Sequence, residues 1–135
     1  LGIPLNTDST LKGQTVFLAE RCGELMHDNI ITDRTILDVM AFTLNAKSIP
    51  HQDKDAFETY ASEFIREYDY IFYISPHGLK IEDNGVRETD EHYRDLIDFT
   101  ITTLIKRHGH KAGKIEKISG STEERIQQIL NITSL

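Results

Sequence analysis

The sequence has 135 residues, 15 Lys+Arg against 22 Asp+Glu, 39% hydrophobic and 27% charged residues, an ordinary composition for one globular domain with a single core. A formal charge of −7 and a pI near 5.3 give a field that repels phosphate backbones and argues against duplex nucleic acid or an anionic membrane as partner. No apolar run approaches the ~20 residues of a spanning helix and no basic segment followed by an apolar stretch opens the chain, so a cytoplasmic protein is expected. The lone Cys22 excludes an internal disulfide and a Cys-only zinc site.

In chain order, Leu1-Gly2-Ile3-Pro4-Leu5 reads as a connection leaving a helix, so further chain is expected upstream. Leu11, Leu18, Cys22 and Leu25 recur at helical spacing between Thr10 and Asp28. The Ile30-Ile31 pair within Asn29 to Thr32, followed by polar Asp33-Arg34-Thr35, suits a short buried parallel strand ending at a polar edge. Thr35 to Ala46 is apolar on most sides and reads as a helix packed under several neighbours. Asp53 can cap a helix reaching Tyr68, with Phe57, Tyr60, Ala61, Phe64 and Ile65 on one face.

Tyr70 to Ile74, aromatic and β-branched without a charge, is the clearest strand and should be central. Ser75 to Thr89 carries Pro76, Gly78, Gly85 and five charged residues, the composition of a surface excursion. Asp90 can cap a helix running to Arg107-His108-Gly109. Lys114 to Ile118 alternates as a short strand. A last helix follows, with Ser121 and Glu124 in a capping-box pattern and Ile126, Ile129 and Leu130 inward. This order predicts one three-layer α/β domain over residues 1–135 with a mostly parallel sheet, whose ligands belong at the carboxyl ends of the strands.

Asp33 and Arg34 fall at that edge. The carboxylate could hold a water of a Mg²⁺ shell or take a proton from a hydroxyl, and the guanidinium could fork onto a phosphate or carboxylate. Alternatively Asp33 caps the following helix and Arg34 lies in solvent. Ile81 to Arg87 has the composition of a closing lid, with Arg87 delivered onto a transferred phosphoryl group, or of a plain solvated loop. Ser119-Gly120-Ser121-Thr122 offers small side chains and amides for a nucleotide base or an anion, or is an ordinary capped loop. The six histidines show no His-x-x-x-His pair, and neither a Gly-x-Ser-x-Gly elbow nor an exposed reactive cysteine is evident.

Taken together, Ile30-Ile31-Thr32-Asp33-Arg34-Thr35-Ile36-Leu37-Asp38, Tyr68-Asp69-Tyr70-Ile71-Phe72-Tyr73-Ile74, Glu82-Asp83-Asn84-Gly85-Val86-Arg87 and Ile118-Ser119-Gly120-Ser121-Thr122-Glu123-Glu124-Arg125 resemble, in order and over nearly the whole chain, the AAA-like P-loop kinase family, which includes the ribosylnicotinamide kinase domains of bacterial NAD regulators. The resemblance implies a P-loop NTPase-like fold with a five-stranded parallel sheet. It implies ATP and Mg²⁺ as cofactors and phosphoryl transfer to a nucleoside, nucleotide or similar small metabolite. Asp33 would serve the Mg²⁺ shell or the acceptor hydroxyl, Arg34 and Arg94 the acceptor, Arg87 a lid spanning residues 75–89, and Ser119, Gly120, Ser121 and Thr122 the adenine. Asn84 stands where related sequences commonly carry Asp. No Gly-x-x-x-x-Gly-Lys-[Ser/Thr] occurs in the 135 residues, so the family's amide cradle and lysine are missing from them and the chain by itself is expected to be inactive. The expectation is that the first strand and phosphate loop lie upstream. The alternative is a non-catalytic or purely ATP-hydrolysing nucleotide-binding regulatory module.

Overall fold

The computed structural model describes residues 2–76 and 91–134. Among them, α1 (Leu11–Glu24), α2 (Ile36–Leu44), α3 (His51–Ser62), α4 (Glu91–His108) and α5 (Thr122–Thr133) accompany two strands, β1 (Tyr70–Ile74) and β2 (Lys114–Ile118). The strands pair in parallel, Tyr70 beside Lys114 through Ile74 beside Ile118, the geometry that a long crossover containing a helix permits. The domain is therefore α/β with a small parallel sheet. No helix among the described residues is long and apolar enough to cross a membrane. Residues 77–90, which hold most of the Ser75 to Thr89 excursion and the Asp90 cap, lie outside the described residues.

The helical layer forms around α2. Thr35 accepts from the Leu37 amide at 3.1 Å while the Asp38 carboxylate accepts from the Thr35 amide at 2.8 Å, so the helix starts at a defined residue. Ile36, Leu37, Met40 and Ala41 are essentially inaccessible to solvent, each large side chain contributing about 1.5–3 kcal/mol by burial. α1, α3 and α4 all pack against this helix. Between α1 and α2 the buried Gln14 side chain donates to Thr43 Oγ1 at 3.1 Å and to the Val39 carbonyl at 3.4 Å, which offsets the cost of hiding an amide.

Helices and sheet meet at Tyr68. Its buried phenol accepts from the Ile36 amide at 3.2 Å and its carbonyl accepts from the Gly113 amide at 2.9 Å. Burial pushes the phenol pKa up to about 12, so the group stays a neutral acceptor. A second fastening holds the end of α4. Glu58 on α3 receives Arg107 Nη1 at 3.0 and 3.1 Å and faces His108 Nε2 at 2.8 Å, and Lys111 reaches Ser62 at 3.0 Å and Glu63 at 3.3 Å. Burial pushes the Glu58 carboxyl up, but the bonds from His108 and Arg107 outweigh it and hold the group below the ordinary carboxylate range.

Several sequence expectations are corrected. Asn29 to Thr32 is not a strand: the segment is irregular, Ile31 is 95% exposed, and Asn29 adopts φ 55°. Two isoleucines favour extended chain only where a neighbouring strand supplies a ladder, and the only strand paired with β1 in the described sheet is β2. β1 is accordingly not flanked on both sides there, and the sheet has two strands instead of three. The helix from Thr10 stops at Glu24, before Asp28. Asp53 lies within the first turn of α3, whose cap is Pro50, and the helix tightens into a 3₁₀ segment, Glu63–Glu67, before Tyr68. Ile126, Ile129 and Leu130 do not face inward as a core stripe. α5 has no buried residue: Ile126 is 52% exposed, Leu130 is exposed and Ile129 only half-buried, since the helix packs mainly against β2.

Two predictions follow from this packing. A Cβ at Gly113 would lie 2.4 Å from the Asp69 carbonyl oxygen, whereas one at Gly23 in α1 meets nothing within 4 Å. In urea denaturation Gly113→Ala should cost about 1–3 kcal/mol by overpacking, and Gly23→Ala should gain up to about 1 kcal/mol by helix propensity; equal effects would contradict the close approach of the two chains at Tyr68. For Glu58, the depressed folded-state pKa means a stabilisation present above the unfolded-state value and lost as pH falls through the folded one. Glu58→Gln should therefore lower the melting temperature at pH 7 and reduce its fall between pH 5 and pH 3, and an unchanged acid limb would show that the cluster carries no linkage.

Candidate functional site

The turn from Thr32 to Thr35 combines a capped helix start with backbone strain. Arg34 adopts φ 81°, a left-handed conformation that costs a side-chain-bearing residue about 1–2 kcal/mol. Thr32 Oγ1 ties the turn by donating to the Arg34 carbonyl at 2.8 Å, and Arg21 Nη1 donates to the Asp33 carbonyl at 3.3 Å. The cap of α2 is Thr35 with Asp38, so the alternative role of Asp33 as a helix cap falls away. Asp33 is exposed at a bend and not at a strand's carboxyl end, because the strand expected before it does not form. Strain at a polar turn is a mark of functional sites more than of plain connections.

Arg34 is exposed, as the alternative of an arginine in solvent expects, with one aromatic ring nearby. Its guanidinium carbon stands 6.0 Å from the centre of the Phe42 ring, and that ring lies 6.3 Å from Tyr93 in the first turn of α4. Arg94 is the next residue. Its Nε is buried and has no hydrogen-bond partner among the described residues, and its ion pair, to Asp95, is long at 3.6 Å. A buried donor left unpaired costs about 1–3 kcal/mol, and such groups call for a specific explanation.

The amino-terminal half of α4 lies alongside the carboxyl end of β1. Tyr73 on β1 donates through its hydroxyl to Asp98 Oδ1 on α4 in a short bond, and the Ser75 side chain hydrogen-bonds the same phenol. The last residues of α4 sit near Glu58, His108 Nε2 lying 2.8 Å from its carboxylate, and pack against the 3₁₀ turn that follows. Arg94 lies one helical turn, about 6 Å, before Asp98 along α4.

Ser119, Gly120, Ser121 and Thr122 follow β2 directly, at its carboxyl end. Gly120 takes φ 98°, open to glycine. The loop's hydrogen bonds run to its own helix: the Ser119 amide donates to Gln128 Oε1 at 3.1 Å, the Ser121 amide to Glu124 Oε1 at 3.1 Å, and Arg125 Nη2 donates to Thr122 Oγ1 at 3.0 Å. The capping box seen in the sequence is present, and it uses two of the amides that a nucleotide base or anion would need. The side chains of Ser119 and Thr122 remain exposed. Arg34 lies near the Phe42 ring and that ring meets Tyr93, the residue before Arg94, whereas among the described residues the hydrogen bonds of this loop reach neither arginine. Arg87 and Gly85 lie outside the described residues.

A shallow cleft of about 440 Å³ opens beside Asp33, lined by Arg21, Glu24, His27 and Ile30 to Asp33. The Arg21–Glu24 ion pair at 2.7 Å forms its wall. A second cleft, of about 450 Å³, lies between Asp69, Tyr70, Gly113 and Lys114, at the amino ends of the strands and so opposite the edge where α/β sheets receive ligands. Among the described residues no group of three or more His, Cys, Asp or Glu side chains is placed to hold a metal ion. Asp33 thus fits Mg²⁺ only in the water-rich manner of an ion carried in by substrate phosphates. Burial raises the Cys22 thiol pKa, consistent with an inert packing residue.

Sequence reading missed Tyr73 and Asp98. The spacing of Arg94 and Asp98 places both on one helix face, but nothing in the strand pattern marks Tyr73 as the residue that reaches Asp98. The strain at Arg34 gives its own test. Arg34→Gly should raise stability in urea by about 1 kcal/mol, the left-handed penalty less the entropy glycine adds to the unfolded chain. A loss of stability instead would show that the turn is not strained at this residue.

Comparison of the chain with protein-family models, with curated proteins and with solved structures returns no match.

Proposed function

We propose that this chain serves ATP-dependent phosphoryl transfer, as the acceptor-binding part of a P-loop-type kinase acting on a nucleoside, nucleotide or similar small metabolite. The reading is carried by Arg34, on a strained turn with its guanidinium carbon 6.0 Å from the Phe42 ring, and by Arg94, next in sequence to the Tyr93 that meets that ring, whose buried Nε lacks a partner among the described residues. Guanidinium groups form planar, charge-assisted pairs with phosphate or carboxylate oxygens, and the Arg94 side chain, 25% exposed although its Nε is buried, can offer its guanidinium to a ligand of that chemistry.

The family resemblance supplies the remaining roles. Asp33 would take the acceptor hydroxyl proton or hold a water of the Mg²⁺ shell. Arg87 would stabilise the transferred phosphoryl group, as charge delivered to such groups by arginine does elsewhere, and Ser119 to Thr122 would lie against adenine. When bound, Mg-ATP would supply the transferred group and the charge neutralisation between its phosphates. A second reading, a nucleotide-binding regulatory module without transfer, is favoured by one observation: the 135 residues contain no Gly-x-x-x-x-Gly-Lys-[Ser/Thr]. Turnover of ATP and acceptor by the parent gene product separates the two.

Calorimetric titration of the 135-residue protein with ADP and with inorganic phosphate tests the shared element. Arg34→Ala and Arg94→Ala should each weaken binding about tenfold or more, the loss of one charge-assisted hydrogen bond, with unchanged circular dichroism. Arg→Lys at either position should restore only part. Absence of binding, or variants that bind as the parent does, would remove the reading.

A further inference from the structure

We propose that Tyr73 is a positioning residue that holds Asp98 away from Arg94, leaving the Arg94 guanidinium available to the anionic group of a ligand. This inference rests on the phosphate-binding role of Arg94 proposed above and assigns a function to two residues outside that site. Arg94 and Asp98 stand four residues apart in α4, the spacing at which opposite charges on a helix ordinarily pair. They are not paired here. Asp98 Oδ1 accepts from the Tyr73 hydroxyl, and Arg94 has only the long contact to Asp95 and a buried Nε without a hydrogen-bond partner among the described residues.

The hydroxyl that makes this possible comes from the sheet. Tyr73 shares its sheet face with Ile71, whose side chain is buried in the core cluster, so the strand fixes the direction of the phenol. Ser75, the residue just past the end of the strand, hydrogen-bonds the phenol oxygen, giving a short polar chain from Ser75 through Tyr73 to Asp98. Burial and the Asp98 carboxylate together push the Tyr73 pKa up to about 12, so at neutral pH the phenol remains a donor and adds no second negative charge beside the arginine. A carboxylate engaged in a hydrogen bond from the sheet is a poorer competitor for the guanidinium than a free one one helical turn away.

Inorganic phosphate and ADP are the probes, titrated calorimetrically into the parent protein, Tyr73→Phe, Asp98→Asn, the double variant and Arg94→Ala. Tyr73→Phe should weaken phosphate binding by about tenfold, since Asp98 without the Tyr73 bond competes for Arg94, and adding Asp98→Asn should restore affinity to within about twofold of the parent. A merely structural role for Tyr73 would give no such rescue. Asp98→Asn alone should bind phosphate at least as tightly as the parent, which keeps the inference testable should Tyr73→Phe fail to fold. Parent-like binding by Tyr73→Phe, a double variant as weak as the single one, or weakened binding in Asp98→Asn overturns it. If Arg94→Ala binds as the parent does, the phosphate-binding reading itself falls and the role of Tyr73 with it; if Arg94→Ala loses binding while Tyr73→Phe does not, only the role of Tyr73 falls.

Discussion

Tyr68 joins the two halves of this fold, and most of what positions the candidate site depends on it. The phenol oxygen receives the first amide of α2, one of the donors that a helix start leaves without an internal partner, and the carbonyl of the same residue receives the Gly113 amide at the entry to β2. One residue thus sets where the buried central helix begins and where the second strand begins. The strained turn at Arg34 precedes that helix by two residues, and the Ser119 to Thr122 loop leaves the other end of that strand. Because Gly113 approaches within a distance no Cβ would tolerate, the junction is specified by sequence at both partners.

The orientation of α4 is the second determinant. Its carboxyl-terminal end is held by Glu58 through Arg107 and His108, and its middle by Tyr73 through Asp98. Basic residues in the last turn also suit the helix dipole. These anchors limit rotation of the helix, and Arg94 follows one turn before the Asp98 anchor with its Nε buried. Of the two arginines of the candidate site, Arg34, on the turn before α2, lies near the Phe42 ring, while Arg94 follows in α4 the Tyr93 that meets that ring. A planar cation over an aromatic face is favourable when partly desolvated, so the same ring contact that packs the helices also directs Arg34.

The elements legible in the sequence are those whose local pattern is complete in itself. Tyr70 to Ile74 carries enough β-branched and aromatic residues to be read alone, Ser121 with Glu124 satisfies a helix start locally, and the apolar run of α2 needs burial on most sides wherever it packs. Ile30 and Ile31 have the same local appearance as a strand, but strand formation depends on a partner that a six-residue window does not contain. Asp53 and Asp33 both look like caps, yet Pro50 and Thr35 take those positions, since several polar residues near a helix start compete and backbone geometry chooses between them. α5 misled for a related reason: its apolar stripe is real, but a stripe in the sequence does not say whether a second layer of structure covers it. The site was legible as a set of residue types, Asp33, Arg34 and Arg94, while the contacts through Phe42, Tyr93, Tyr73 and Asp98 span long separations and leave no periodic trace.

The most direct measurement on the central claim observes the Arg94 Nε–H group itself, by ¹H–¹⁵N spectra of the arginine side chains recorded as ADP is added. If Arg34 and Arg94 receive the phosphates, the Arg94 Nε–H resonance should shift and its exchange with water should slow on saturation, with Arg34 moving alongside it. An Arg94 resonance that stays in place while ADP binds, or shifts confined to the cleft between Asp69 and Lys114, would contradict the assignment of this site.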